Sequence, residues 1–259
     1  MLRLSLATRC LNLPLKAAVR AAAEAGAQAV QFDAREELPP GSLGDTGRRQ
    51  FLHELGERGL HIASFTFPSR HTFYDEDRLD ARVAAVKAAM EFAYQLKSNV
   101  LTARVGRIPA DATSKDYLTL KDVLSDIARH GNHVGVTLAI TPTNDSPQAL
   151  FDLFAAIKTG PLGLDFDPAG FVMAGHQPDP ALRLLHASIV HVLVRDGLRD
   201  IDGTGIEVAV GRGEVDWTAV LALLTDTDYR GWLTAIRTQG PDIPGDATRA
   251  LHFLRNIFF

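Results

Sequence analysis

At 259 residues, 46% hydrophobic and 22% charged, the chain has the make-up of an ordinary globular protein and suits one α/β barrel domain over 1–259. A net charge of −4 argues against a nucleic-acid-binding surface, which needs clustered Lys and Arg to meet phosphates. No apolar run reaches the length of a membrane span, and Cys10 is the only cysteine, which excludes an intrachain disulfide and a thiolate metal cluster.

Taken in order, short β-type runs alternate with longer helical ones. Met1-Leu2-Arg3-Leu4-Ser5-Leu6 reads as the approach to a first strand rather than a signal-peptide core, so a cytoplasmic home is the expectation. Strands are expected at 3–7, 29–32, 61–65, 100–105, 137–141, 162–167, 189–194 and 233–236. Pro14 opens the first helix and Gly26 closes it. Leu79, Val83, Val86, Met90 and Ala93 form one apolar stripe on the third. Tyr117, Leu120, Leu124 and Ile127 repeat it on the fourth, which is expected to end at Gly131. Ser146-Pro147 and Asp179-Pro180 are cap-then-proline starts for the fifth and sixth. Trp217 to Leu224 forms the seventh, and Asp246 is expected to cap the last, with Ala250, Leu251, Leu254 and Ile257 inward.

Eight such units without a linker favour a closed α/β barrel, the (β/α)8 TIM barrel, over an open doubly wound sheet. No Gly-x-Gly-x-x-Gly follows the first strand and there is no Walker-type loop, so nucleotide folds lose their main support. The stretch Leu162-Gly163-Leu164-Asp165-Phe166-Asp167-Pro168-Ala169-Gly170 delivers Asp167 to the C-terminal end of a strand, where barrels place their chemistry.

Three segments carry a family resemblance. Asp167-Pro168-Ala169-Gly170 with its trailing Ala174-Gly175, Val190-His191-Val192-Leu193-Val194-Arg195-Asp196, and Gly211-Arg212-Gly213-Glu214-Val215-Asp216-Trp217 followed by Tyr229-Arg230-Gly231-Trp232-Leu233 resemble the xylose isomerase-like barrels. That superfamily comprises sugar isomerases and epimerases. The resemblance implies one divalent cation held by Glu, Asp, His and Glu at the ends of strands five to eight. Here those positions read Thr141, Asp167, Leu193 and Arg237, and the usual His after the Asp reads Gly170. Leu193 has no donor atom, and Arg237 brings a permanent positive charge. No metal is therefore expected, a Mn or Mg ion being the alternative.

Strand alternation then lists what faces the barrel. Asp167, Asp165 and Gly163 share a face, as do Leu193, His191 and Arg195, Arg237 and Ala235, and Thr141 and Ala139. An Asp167–Arg237 ion pair is expected to replace the cation, against a reading in which Arg237 runs out to solvent. Asp165 and His191 are either a proton-transfer dyad or a satisfied buried pair, and barrel shear could separate them. Arg9, Arg35, Arg104, Arg107, Arg195, Arg199 and Arg237 all follow strand ends. They suggest a mouth for an anionic ligand, against rim pairing with Asp33, Glu36, Asp196 and Asp202. Arg199 also matches a family arginine that contacts substrate in some epimerases. His71 stands beside Phe67, Phe73 and Tyr74 in a loop that either covers a sugar or is an apolar lid. His61 and Cys10 read as structural.

The expected ligand residues are thus Arg104, Thr141, Asp167, Arg195, Arg199, Arg237 and His71, with Asp167, His191 and Arg237 as catalytic candidates. Two functional readings follow. One is a divergent or inactive family barrel whose arginine-rich pocket takes a small polyol or anionic sugar metabolite. The other is an active metal-independent isomerase or epimerase working by proton transfer next to a carbonyl, with Arg237 or Arg104 on the oxyanion and Asp167, His191 or His71 as acid and base. A small-molecule partner is expected, with no nucleic acid and no membrane; self-association is left open.

Overall fold

The computed structural model describes residues 3–258. The chain opens with β1 (Arg3–Ala7), a 3-10 turn (Thr8–Leu11) and α1 (Leu15–Glu24), then β2 (Ala29–Asp33) and α2 (Asp45–Gly56). It continues with β3 (His61–Thr66), α3 (Leu79–Gln95), β4 (Val100–Ala103), α4 (Lys115–Val134), β5 (Thr137–Ile140) and α5 (Pro147–Ala156). The last third holds β6 (Leu162–Phe166), α6 (Pro168–Ala174), α7 (Pro178–Leu185), β7 (Ile189–Val194), β8 (Asp196–Arg199), β9 (Gly205–Val208), α8 (Trp217–Asp226), β10 (Trp232–Ala235) and α9 (Ile243–Phe258). Eight parallel strands close into a barrel in the order β1-β10-β7-β6-β5-β4-β3-β2, while β8 and β9 form a separate antiparallel hairpin.

Period-two alternation divides each barrel strand between lumen and helix layer. The outward set includes Leu6, Phe32, Leu101, Leu138, Leu164 and Val192, all fully buried. Aromatic pairs stitch this set to the helices, among them Phe32 with Phe51 and Phe65 with Phe92. The α3 stripe is buried at Val86, Met90 and Ala93, as its spacing requires. Ser146 caps α5 by accepting from the Ala149 N–H at 3.2 Å. Among the described residues no helix is long and apolar enough to cross a membrane.

Helix ends depart from the sequence expectation in three places. Helix α4 runs past Gly131 to Val134 and is closed by Gly135 at φ +86°, a left-handed position that suits glycine. Gly131 is small for another reason, since a Cβ there would meet the Val136 carbonyl oxygen at 2.4 Å. Helix α9 starts at Ile243, ahead of Asp246, and Asp242 accepts from the Gly245 N–H at 3.0 Å. Strand β6 is followed by two helices, α6 directly after Asp167 and α7 from Pro178.

Candidate functional site

The barrel lumen carries a buried polar chain. Asp165 and His191 are register partners across β6 and β7, and His191 Nδ1 lies 2.7 Å from Asp165 Oδ1. The carboxylate only accepts, so Nδ1 bears the proton. His191 Nε2 stands 2.7 Å from Thr234 Oγ1 and 3.0 Å from Ser64 Oγ. Ser64 in turn accepts from Gln31 Nε2 at 2.9 Å, and Thr234 pairs with Ser5 at 3.0 Å. At the upper end Thr141 Oγ1 donates to Asp165 Oδ2 at 2.6 Å. All seven residues are buried, so each polar group must find its partner within the lumen.

Above this chain the expected Asp167–Arg237 pair does not form. The lumen residues of β10 and its extension are Thr234, bonded to His191, and Ile236, which lines the mouth. Arg237 therefore falls on the outer face, one residue out of phase with the expectation. Arg195 takes its place: Nη2 donates to Asp167 Oδ2 at 2.6 Å, and Nε contacts Oδ1 and Oδ2 at 2.9 and 3.0 Å. Asp167 is 1% exposed and also caps α6, accepting from the Gly170 N–H at 2.9 Å.

The ionic chain continues through Glu207 on the hairpin. Arg195 Nη1 lies 3.5 Å from Glu207 Oε2, and Arg237 Nη1 lies 3.7 Å from Glu207 Oε1. Glu207 also accepts from the Thr238 backbone N–H at 3.0 Å and from its hydroxyl. Arg237 Nε reaches Asp246 Oδ2 at 3.3 Å. Arg237 is 7% exposed, so it does not run out to solvent either, and its Nε and Nη1 sit at ion-pair distance without hydrogen-bond geometry. Burial works against the charge on Arg195, but Asp167 and then Glu207 outweigh it, so its pKa rises above the ordinary guanidinium range.

Two adjacent chambers make the mouth. The inner one, about 380 Å³, is lined by Thr141, Asp165, Leu193, Ile236, Arg9 and Arg104 among others. The outer one, about 540 Å³, is lined by Arg104, Arg107, Asn144, His176, Arg199 and Glu207 among others. Arg195, Thr238, Gln239 and Arg104 belong to both. Asp167, His191 and Arg237 line neither chamber; each bears on the mouth through a partner that does, Arg195, Asp165 and Glu207 respectively.

His71 is also outside both chambers. It lines a separate recess of about 650 Å³ with Arg35, Arg70, Arg78 and Arg82, and its Nδ1 is 2.7 Å from Asp75 Oδ2. Phe67 and Phe73 are buried; Phe67, Pro68 and Ser69 at the start of the loop between them line the inner chamber as well as the recess, while Arg70 and His71 line the recess alone. Arg9 reaches Asp33 only at 4.0 Å, and Arg35 donates to the Pro68 carbonyl at 2.9 Å. Among the described residues Asp196 meets no arginine; it accepts from the backbone N–H groups of Gly197, Gly211 and Val215 and so fixes the loop before α8. Asp202 likewise bonds the Thr204 N–H.

Glu207, Ile236, Ser64 and Gln31 were not anticipated. A signal for Glu207 was present: Leu198-Arg199 and Gly205-Ile206-Glu207-Val208 flank Asp202-Gly203, a turn pair between short β-type runs.

Compared with curated proteins, the chain finds no significant sequence match. Solved structures share its fold. It superposes with TM-score 0.84 on a xylose isomerase domain protein from Planctomyces limnophilus, at 21% identity, covering 99% of this chain and 96% of that one. A D-tagatose 3-epimerase-like protein gives 0.81 at 17% identity, over 99% and 97% of the two chains. The probable 3-DHS dehydratase AsbF from Bacillus anthracis gives 0.79 at 16% identity, over 98% and 99%. The family described as the xylose isomerase-like TIM barrel matches residues 19–257, nearly the whole chain. With its closed parallel barrel, this chain belongs to that family.

Proposed function

We propose that the barrel mouth binds a small anionic sugar or polyol derivative, and that it does so without the divalent cation the family resemblance implies. The observation that carries this reading is the Asp167–Arg195 pair. The resemblance puts a family-type site on Thr141, Asp167, Leu193 and Arg237, and because Arg237 lies on the outer face, Ile236 takes its place. Leu193 and Ile236 have no donor atom, and the one carboxylate already holds a guanidinium through both oxygens. Among the described residues no group of three or more His, Cys, Asp or Glu side chains is placed to hold a metal. A dication there would face Arg195 at close range, and the ligand set does not suit it. Epimerases named for L-ribulose and D-psicose are among the structural neighbours, which supports a ligand of monosaccharide size. The test is metal analysis of purified protein together with a thermal-shift screen of sugars, sugar acids and sugar phosphates with and without Mn²⁺. Stabilisation by an anionic sugar independent of Mn²⁺ is expected; a stoichiometric metal sinks the reading.

One observation favours a second reading, in which proton transfer next to a carbonyl survives. Asp165 is the one carboxylate lining the inner chamber among the described residues, and His191 and Thr141 fix both its oxygens. Asp165 would take the proton from carbon, and Arg104 would hold the oxyanion. Incubation with candidate sugars in D₂O, followed by NMR, reads the exchange of the carbon-bound hydrogen. No exchange on any sugar that binds removes this reading.

A further inference from the structure

The outer chamber of the mouth concentrates positive charge. Arg104, Arg107 and Arg199 line it, and among the described residues none of the three makes an ion pair. Its one lining carboxylate, Glu207, is already engaged by Arg195, Arg237 and Thr238. The chamber therefore keeps three arginines outside any ion pair among the described residues, with the Asp145 carboxylate near enough to Arg107 to feel its charge.

Arg199 also has a favoured position. Its Nη1 donates to the Met173 carbonyl at 2.9 Å, and its guanidinium lies against Gly175 and Gly203. A Cβ at Gly175 would stand 2.8 Å from Arg199 Cζ, and one at Gly203 would stand 3.3 Å from Nη2. Both glycines have left-handed φ, +83° and +86°, so neither position readily takes a side chain. Arg199 is exposed, and this hydrogen bond and the bare glycines beside it favour a guanidinium position next to the outer chamber.

We propose that the outer chamber is a phosphate site, and that the ligand is the phosphomonoester of a short polyol or sugar whose carbon chain enters the inner chamber. This rests on the reading of the mouth as a ligand site. A carboxylate is satisfied by one guanidinium fork, whereas a phosphomonoester brings three terminal oxygens and a charge of about −1.5 to −2, matching three separate guanidiniums. Arg195 does not compete for it, because Asp167 and Glu207 hold its charge. The inner chamber is lined by Thr66, Thr102 and Thr141, residue types that suit a polyol chain. Arg104, Thr238 and Gln239 border both chambers and connect the two halves of the ligand.

Isothermal titration calorimetry on the full chain tests this with inorganic phosphate, sorbitol and sorbitol 6-phosphate. Inorganic phosphate is expected to bind and to compete with sorbitol 6-phosphate, which binds more tightly than either fragment. Arg107→Ala and Arg199→Ala should each weaken both phosphate ligands roughly tenfold, the cost of one charge-assisted contact. Arg9→Ala, in the inner chamber alone, should weaken sorbitol and sorbitol 6-phosphate and leave inorganic phosphate unchanged. Thermal melts of the variants report whether the barrel is intact. If inorganic phosphate does not bind, or the Arg107→Ala/Arg199→Ala double variant binds sorbitol 6-phosphate like the parent, the phosphate site is overturned. Sorbitol binding that still depends on Arg9 would then leave the wider reading of the mouth standing. Phosphate binding lost in the double variant, with no gain from the sorbitol chain, removes the polyol half of the proposal and that wider reading with it, and keeps the phosphate chamber.

Discussion

Gly170 allows Asp167 to face Arg195. A Cβ at position 170 would stand 2.6 Å from Asp167 Oδ2 and 2.8 Å from its Cγ, so the carboxylate can fold back over the start of α6 only where residue 170 is bare. From there it caps the helix and holds the guanidinium. The resemblance puts a histidine at this position, and a histidine does not fit beside Asp167 as it now lies. Gly170→Ala is expected to destabilise the protein by about 1–3 kcal/mol through this overpacking. Urea unfolding measures it, and a loss below about 0.5 kcal/mol, the size of an ordinary surface change, would show that Asp167 is free to move.

Arg195 neutralises two buried carboxylates at once. Arg195→Met should cost about 3–5 kcal/mol, because Asp167 and Glu207 then remain buried with their main cation removed. Asp167→Asn in the same chain should recover a large part, since an amide oxygen still caps α6 without carrying charge. Equal stability of the single and double variants in urea titrations would contradict the pairing.

Asp165 has a structural role that can be separated from a chemical one. Asp165→Ala leaves His191 Nδ1 and the Thr141 hydroxyl without their carboxylate partner, and about 2–4 kcal/mol of stability should be lost. Asp165→Asn keeps the size and part of the hydrogen bonding, so its loss should be smaller. If the parent exchanges a sugar hydrogen with solvent, Asp165→Asn should abolish that exchange while the protein stays folded by circular dichroism.

Cys10 gives a pH-dependent prediction. Burial pushes its thiol up from 9.0 to about 11, partly offset by its hydrogen bonding to the Arg237 backbone. The folded state holds the proton more tightly than the unfolded one. The stabilisation is therefore complete below pH 9 and is lost as pH rises through 11. The two-unit shift corresponds to about 3 kcal/mol at most. Urea stability of the parent should fall relative to Cys10→Ala across this range, and Ellman's reagent should react slowly with the native protein at pH 8. Parallel curves for parent and variant would show that Cys10 is not linked to alkaline unfolding.

The barrel was legible in the chain because its signals are local. Short β-type runs marked all eight barrel strands, and the 3.6-residue stripes placed Val86, Met90, Leu120 and Leu124 in the core. Helix ends were read less well, since Gly131 and Gly135, or Asp242 and Asp246, offer the same local chemistry a few residues apart. The hairpin carrying Glu207 was overlooked although Asp202-Gly203 marks its turn.

The sequence by itself determined that arginines cluster at the strand ends and that Asp167 needs a cationic partner. Only the tertiary structure decided which arginine that is. A side chain on a strand changes face with each residue, so a one-residue difference in reading the end of β10 moves Arg237 from the lumen to the outer layer and puts Ile236 in its place. The same difference gives Arg195 to Asp167 and Glu207 to both arginines, through contacts between elements distant in the chain that no local pattern encodes.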